Sequence, residues 1–103
     1  MAIKVGEFSF HGPFMHLKMI DDRPGLFAVH YYYTGQYYLL DLDHADQLRS
    51  ALHEHPRQQD WERFRRGMLT FSVMYTDKQS PADREACVRQ LRREYEPACG
   101  RVI

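Results

Sequence analysis

Two aspartates and two histidines lie close together in the first half of the chain: His30 in one aromatic segment, then Asp41, Asp43 and His44 in the next. Carboxylate oxygens and imidazole nitrogens are common ligands of divalent metals, and a metal held this way could serve as a Lewis acid in phosphodiester hydrolysis. In an extended strand Asp41 and Asp43 point to the same side. With His30 on a paired strand, the four side chains could converge on one ion. The plainer reading makes Asp43 a helix cap, leaves His44 at the surface and pairs Asp41 with an arginine, and the spacing matches no established ligand pattern. His53-Glu54-His55 is a poorer metal candidate, because on a helix the two histidines stand about 200° apart. Cys87 shares an apolar helical stripe with Leu91, where a thiol behaves as a small hydrophobe. Cys99 is expected at the surface of a tail, with no activating base beside it.

Two further sets of residues could bind rather than react. The run Tyr31-Tyr32-Tyr33-Thr34-Gly35-Gln36-Tyr37-Tyr38 places phenol rings on both sides of a turn. Exposed rings of this kind stack on unpaired bases or anchor a protein partner. The structural alternative is cross-strand tyrosine pairing, which stabilises a hairpin by about 0.2–1 kcal/mol per pair. Arg57, Arg63, Arg65 and Arg66 surround Trp61, and Arg84, Arg89, Arg92 and Arg93 line a later segment. Arginine suits phosphate contacts. Acids are interleaved, however, and Arg92 has Glu96 four residues on as an ion-pair partner.

The elements that must position these residues are legible from pattern. Residues 26–33 and 37–42, joined by Thr34-Gly35-Gln36, predict a β-hairpin. Asp43 offers a helix N-cap with Asp46 three residues on, and Ala45, Leu48, Ala51 and Leu52 follow at helical intervals until Pro56. Residues 58–64 form a second short helical piece, broken by Arg66-Gly67. Residues 68–75 alternate as a third strand, with Leu69, Phe71, Val73 and Tyr75 on one face. Ser80-Pro81-Ala82-Asp83 starts a helix that Pro97 ends. Residues 1–24 read as an irregular opening with short extended pieces at 3–5 and 8–10, punctuated by Gly12-Pro13 and a turn at residues 21–25. The expected fold is α+β: a small, mainly antiparallel three-stranded sheet flanked by helices, in a single domain spanning 1–103.

Composition agrees with one globular core. The chain has 103 residues, 44% hydrophobic and 27% charged, which is ordinary for a folded domain of this size. Net charge is zero, which argues against tight non-specific binding to nucleic acid. The charge is uneven: residues 1–52 carry four Lys/Arg against six Asp/Glu, and residues 53–103 carry ten against eight. A local basic face is therefore compatible with overall neutrality. Two cysteines without a C-x-x-C pair fit a reducing cytoplasmic setting. The first residues lack the apolar run of a signal peptide, and no segment is long enough to span a bilayer.

Within this element order, Pro24-Gly25-Leu26-Phe27 opens a strand and Leu39-Leu40-Asp41-Leu42-Asp43 ends the next. A helix reads Leu48-Arg49-x-x-Leu52-x-x-His55; then come Trp61, a strand ending Tyr75-Thr76 and a helix closing on Pro97-x-Cys99-Gly100. Over residues 23–100 this ordered set resembles small bacterial proteins related to the GIY-YIG endonucleases. In active members of that family, the resemblance implies, a tyrosine on each of two strands handles protons near the attacking water. An arginine on the first helix stabilises phosphate charge, and a glutamate on the long helix holds a divalent metal. Carried over position by position, Phe27 stands for the first tyrosine and Asp41-Leu42-Asp43 for the Tyr-Ile-Gly strand. Ala51 stands for the arginine and Val88 for the glutamate. Arg49 and Arg89 lie one or two positions away, so a shifted alignment restores a cation but not the whole set.

The resemblance therefore implies a GIY-YIG-like pseudo-nuclease kept for binding, without a cofactor. Its expected partner is another protein or a second copy of itself, ahead of nucleic acid. The candidate contact residues are Tyr31, Tyr33, Tyr37, Arg49, Arg63, Arg66 and Arg89. The competing expectation is a metal-dependent phosphodiesterase with a site rebuilt around His30, Asp41, Asp43 and His44.

Overall fold

The computed structural model describes residues 2–100. The elements run β1 (Ala2–Val5), β2 (Phe8–Phe14), a 3₁₀ turn (Leu17–Met19), β3 (Gly25–Tyr33) and β4 (Gln36–Ala45). They continue with α1 (Leu48–His53), α2 (Gln58–Phe64), β5 (Met68–Tyr75) and α3 (Pro81–Tyr95). All strand pairs are antiparallel, and the sheet order is β1-β2-β5-β3-β4. The sheet curls into a half-barrel.

Five strands replace the three expected. The difference lies in the opening segment, where the extended piece at 3–5 pairs with the one at 8–10, and β2, which continues from the latter to Phe14, pairs in turn with β5. Their signal was masked by brevity and by punctuation. Gly6 takes the positive φ of a tight turn at 62°, and the pairing of β2 with β5 slips between His11 and Phe14, around Gly12-Pro13. A break of that kind reads locally as a loop, although it is a bulge within a continuing strand.

Both faces of the sheet are buried, and each has its own cluster. Phe27, Val29, Leu40 and Val73 pack with Ile20, Leu48, Leu52, Trp61 and Cys99 on the face covered by α1 and α2. Leu26, Ala28 and Leu42 pack with Val5, Phe10, Val88 and Leu91 on the opposite face, beneath α3. This explains the unbroken run Leu26–His30, every residue of which is buried: a strand covered on two sides loses the alternation of a half-exposed one. α3 begins as its sequence predicts. Ser80 accepts from the Asp83 N–H, the Asp83 carboxylate accepts from the Ser80 N–H, and Pro81 follows the cap. The start of α1 differs from expectation. Its N-cap is Gln47, with no side-chain bond, because β4 continues through Asp43 to Ala45. No helix among the described residues is long and apolar enough to cross a membrane.

Gly25, at the start of β3, has no room for a side chain. An added Cβ would run into the Met74 carbonyl of β5 and lie 2.9 Å from Leu48 Cδ1 of α1. Gly25→Ala is expected to destabilise the protein by about 1–3 kcal/mol, since backbone and a packed helix must both move. Urea denaturation checks it, and an unchanged midpoint would show that α1 yields freely.

Candidate functional site

Asp41 lies in the apolar run Leu39–Leu42 and is wholly buried. A buried carboxylate must be paired and hydrogen-bonded, and this one is. Arg57 Nε donates to Oδ2 at 2.7 Å and Nη2 to Oδ1 at 3.1 Å. Arg92 Nη2 donates to Oδ1 at 2.5 Å, the Trp61 indole N–H to Oδ2 at 2.7 Å, and the Leu42 N–H to Oδ1 at 2.8 Å. Arg57 also reaches Asp43 Oδ2 at 3.0 Å. Asp43 is thus an arginine partner rather than the expected helix cap, and Arg92 turns inward to Asp41. Burial works against the Arg57 charge, but the hydrogen bonds and charges of Asp41 and Asp43 outweigh it and hold its pKa above the ordinary value.

Three elements meet here because β4 is a sheet edge. Leu40 is an extra residue in the β3–β4 ladder: Val29 pairs with Asp41, and His30 already with Leu39. The bulge keeps Leu40 and Asp41 on the α2 side and frees the Leu40 carbonyl to accept from the Cys99 N–H at 2.7 Å. Arg92 bonds the Cys99 and Gly100 carbonyls at 3.2 Å each. The segment after α3 therefore crosses the β4 edge, and Cys99, expected at the surface, is buried in the cluster under α2. Burial first, then the nearby Asp41 and Asp60 carboxylates, push its thiol up to about 11. Such a thiol stays protonated at neutral pH and is inert as a nucleophile.

This arrangement determines what the four metal candidates can do. The Asp41 oxygens already accept five donors, and two guanidinium groups occupy the place a cation would need. His30 lies on the other face of the sheet, against Tyr37 with ring centroids 6.3 Å apart. Among the described residues no three His, Cys, Asp or Glu side chains form a group that could hold a metal ion. The positions carried over from the nuclease resemblance do not converge either. Phe27 packs edge-on against His55 and Trp61, at 5.5 and 6.5 Å. Ala51 lies half-buried on α1, and Val88 is in the core of the opposite face.

The candidate contact residues fall into separate places. Tyr31 is half-buried and stacks on Tyr38 at 5.0 Å and 20°, on the α2 face with Tyr33. Tyr37 projects from the other face, beside Tyr32 at 5.0 Å. Tyr32, Tyr33, Tyr37 and Tyr38 are 43%, 46%, 40% and 38% exposed. Arg66 directly precedes Gly67, which packs on the Tyr32 backbone, and Met68, which pairs with Tyr32, whereas Arg63 lies in the last turn of α2. Arg49 belongs to the far end, in a shallow cleft with Leu17, Lys18, Ser50 and His53. Arg89 lies on the outer side of α3, paired with Glu85 at 3.4 Å.

Sequence reasoning named neither Arg92 nor Trp61 as partners of Asp41. The available signal was an acid inside an apolar strand together with a single tryptophan, whose buried N–H needs an acceptor. Compared with protein-family models, curated proteins and solved structures, the chain has no match.

Proposed function

We propose that this protein is a non-catalytic binding module, related by resemblance to GIY-YIG nucleases, that docks a protein partner at the tyrosine end of the β3–β4 hairpin. The observation that carries this reading is the contrast along one hairpin. At one end Phe27 and Asp41, which stand at family catalytic positions, are sealed into packing and ion pairs. At the other, four tyrosines remain about two-fifths exposed on a stretch without a charged residue from Leu26 to Leu40. Exposed rings on a rigid strand pair make good anchors, because few rotamers are lost on binding. The β4 edge beside them carries neither Pro nor Lys between Gln36 and Leu39, so it lacks the usual protection against strand addition.

An uncharged, aromatic edge is complementary to itself, which makes a second copy the first partner to test. Sedimentation velocity across a hundredfold concentration range is expected to show reversible dimers. Tyr33→Ser with Tyr37→Ser should weaken them at least about tenfold, leaving the folded state nearly as stable. A monomer at every concentration sinks the self-association form of the proposal. A second reading rests on Arg66, next to the Gly67 that packs on the tyrosine strand: single-stranded nucleic acid would stack there. Oligonucleotide binding that weakens with salt, and weakens further in Arg66→Gln, would favour it.

A further inference from the structure

The free edge of β4 is short, and the structure sets both of its limits. The outer limit is the turn. Thr34 and Gly35 have φ of 47° and 82°, as the two central residues of a type I′ hairpin turn do. Tyr33 and Gln36, which close the turn, exchange both main-chain bonds, and bonded and unbonded pairs alternate from there. Tyr38 is therefore bonded to Tyr31. Tyr37 and Leu39, opposite Tyr32 and His30, turn their N–H and C=O groups to the open edge.

The inner limit is a strap, residues 97–100 after α3. Pro97 and Cys99 are buried, and the Cys99 N–H takes up the Leu40 carbonyl. Arg92 holds the Cys99 and Gly100 carbonyls. Gly100 lies so close to the ion pairs of Asp41 that an added Cβ would stand 2.7 Å from Arg92 Nη2 and 2.9 Å from Arg57 Cζ. An added strand has no place beyond Leu39. Accessibility along β4 agrees: residues 36–38 are exposed, Leu39 is half-buried and Leu40 is buried.

We infer that a second copy of the chain adds to this edge antiparallel, with Tyr38 facing the partner's Tyr38 across the two-fold axis. The inference rests on the docking reading above and specifies its register. Free groups must meet free groups, so Tyr37 can face the partner's Leu39 or the partner's Tyr37. The first choice makes two bonded pairs, Tyr37 with the partner's Leu39 and the reverse, around an unbonded Tyr38 pair. The second makes one, because its next pair would set Leu39 against the partner's Gly35, within the turn. Sliding the other way would set Tyr37 against the partner's Asp41, where the strap already lies. Residues 36–40 carry no charge, so like charges do not meet at the axis. A contact this short makes a weak, reversible dimer.

The test is disulfide trapping in the full chain, with amide hydrogen exchange of the unaltered protein as a second measure. In the inferred register the two Tyr38 Cα atoms are about 4.5 Å apart, within disulfide reach. The two Tyr37 Cα atoms, and the two of Leu39, are about 8 Å apart and beyond it. Under mild oxidation Tyr38→Cys is expected to form the interchain bond at least about tenfold faster than Tyr37→Cys or Leu39→Cys. The bonds are mapped by mass spectrometry, since Cys87 is itself only half-buried. The Tyr37 and Leu39 amides should exchange about tenfold more slowly where most chains are paired than in dilute monomer, with Tyr38 unchanged. If a cysteine variant does not fold, exchange decides alone. Faster trapping at Tyr37→Cys or Leu39→Cys, or Tyr37 and Leu39 amides that exchange alike in monomer and dimer, would overturn the register and leave a dimer formed elsewhere. Monomers at every concentration would overturn the register together with the self-association reading beneath it.

Discussion

Asp41→Ala is expected to destabilise the protein by about 3–5 kcal/mol, because the change leaves two inward-facing guanidinium groups and an indole N–H without their acceptor. A domain of this size typically has a total stability not much larger. The loss follows from what stays behind: Arg57 and Arg92 are three-quarters or more buried at their side chains and cannot turn to water without opening the β4 edge. Asp41→Asn keeps the shape but presents an amide donor to these donors, and should cost about 1.5–3 kcal/mol, the range for a hydrogen bond to a charged group. Urea denaturation at neutral pH measures both. A loss under about 1 kcal/mol in Asp41→Ala would show that the arginines find other acceptors, and that the cluster is peripheral to stability. Replacing the acid and both arginines together by apolar residues of similar volume should be milder than Asp41→Ala, since an empty polar site is worse than none.

Acid should weaken the fold well before most carboxylates titrate. His30 has its pKa lowered by burial from 6.5 to about 4. Between those values the unfolded chain takes up a proton that the folded protein refuses, so stability falls as the pH falls. The contribution is complete above pH 6.5, and about 3 kcal/mol of it is gone by pH 4. His55 acts in the same direction: burial, then the Arg57 charge, lowers its pKa, and its Nδ1 accepts from the Arg57 N–H at 3.1 Å. Asp22 and Asp77, held low by bonds to Ser50 and Arg23, add to the acid loss at still lower pH. Denaturation midpoints of the protein and of His30→Gln, followed from pH 7 to 4.5, isolate the first effect. The variant should lose distinctly less stability over that range. Parallel curves would mean that His30 is protonated in the fold and faces water.

Where a signal was local, sequence and structure agree. The hairpin, expected around Thr34-Gly35-Gln36 and closed by Thr34-Gly35 with Gln36 already paired, the alternation of β5 and the Ser80-Pro81-Asp83 start of α3 each depend on residues within a few positions of one another. Where the outcome was decided by distant residues, local reading failed. Asp43 has good cap chemistry, but Arg57 recruits it and β4 runs on past it. Arg92 has a surface partner four residues away in Glu96, yet the buried carboxylate 51 residues back holds it. β1 and β2 became strands because β5 offered an open edge, a condition that no window of the opening segment contains. The tyrosine run was visible as an anomaly from the start. Its division between two faces required the register, in which Tyr31 meets Tyr38 and Tyr32 meets Tyr37.

The crossing of the β4 edge also has a consequence for biosynthesis. Asp41 receives Arg57 from 16 residues further on, Trp61 from 20 and Arg92 from 51. A growing chain can form its hairpins early, but the carboxylate must stay hydrated until α3 and the Cys99 turn have left the ribosome. At ordinary translation speeds that delay is several seconds, roughly. During it, the tyrosine end and the open β4 edge are both available to neighbouring nascent chains on the same message. The fold is most exposed to wrong pairing during this interval, and a pause in translation between codons 61 and 92 would prolong it.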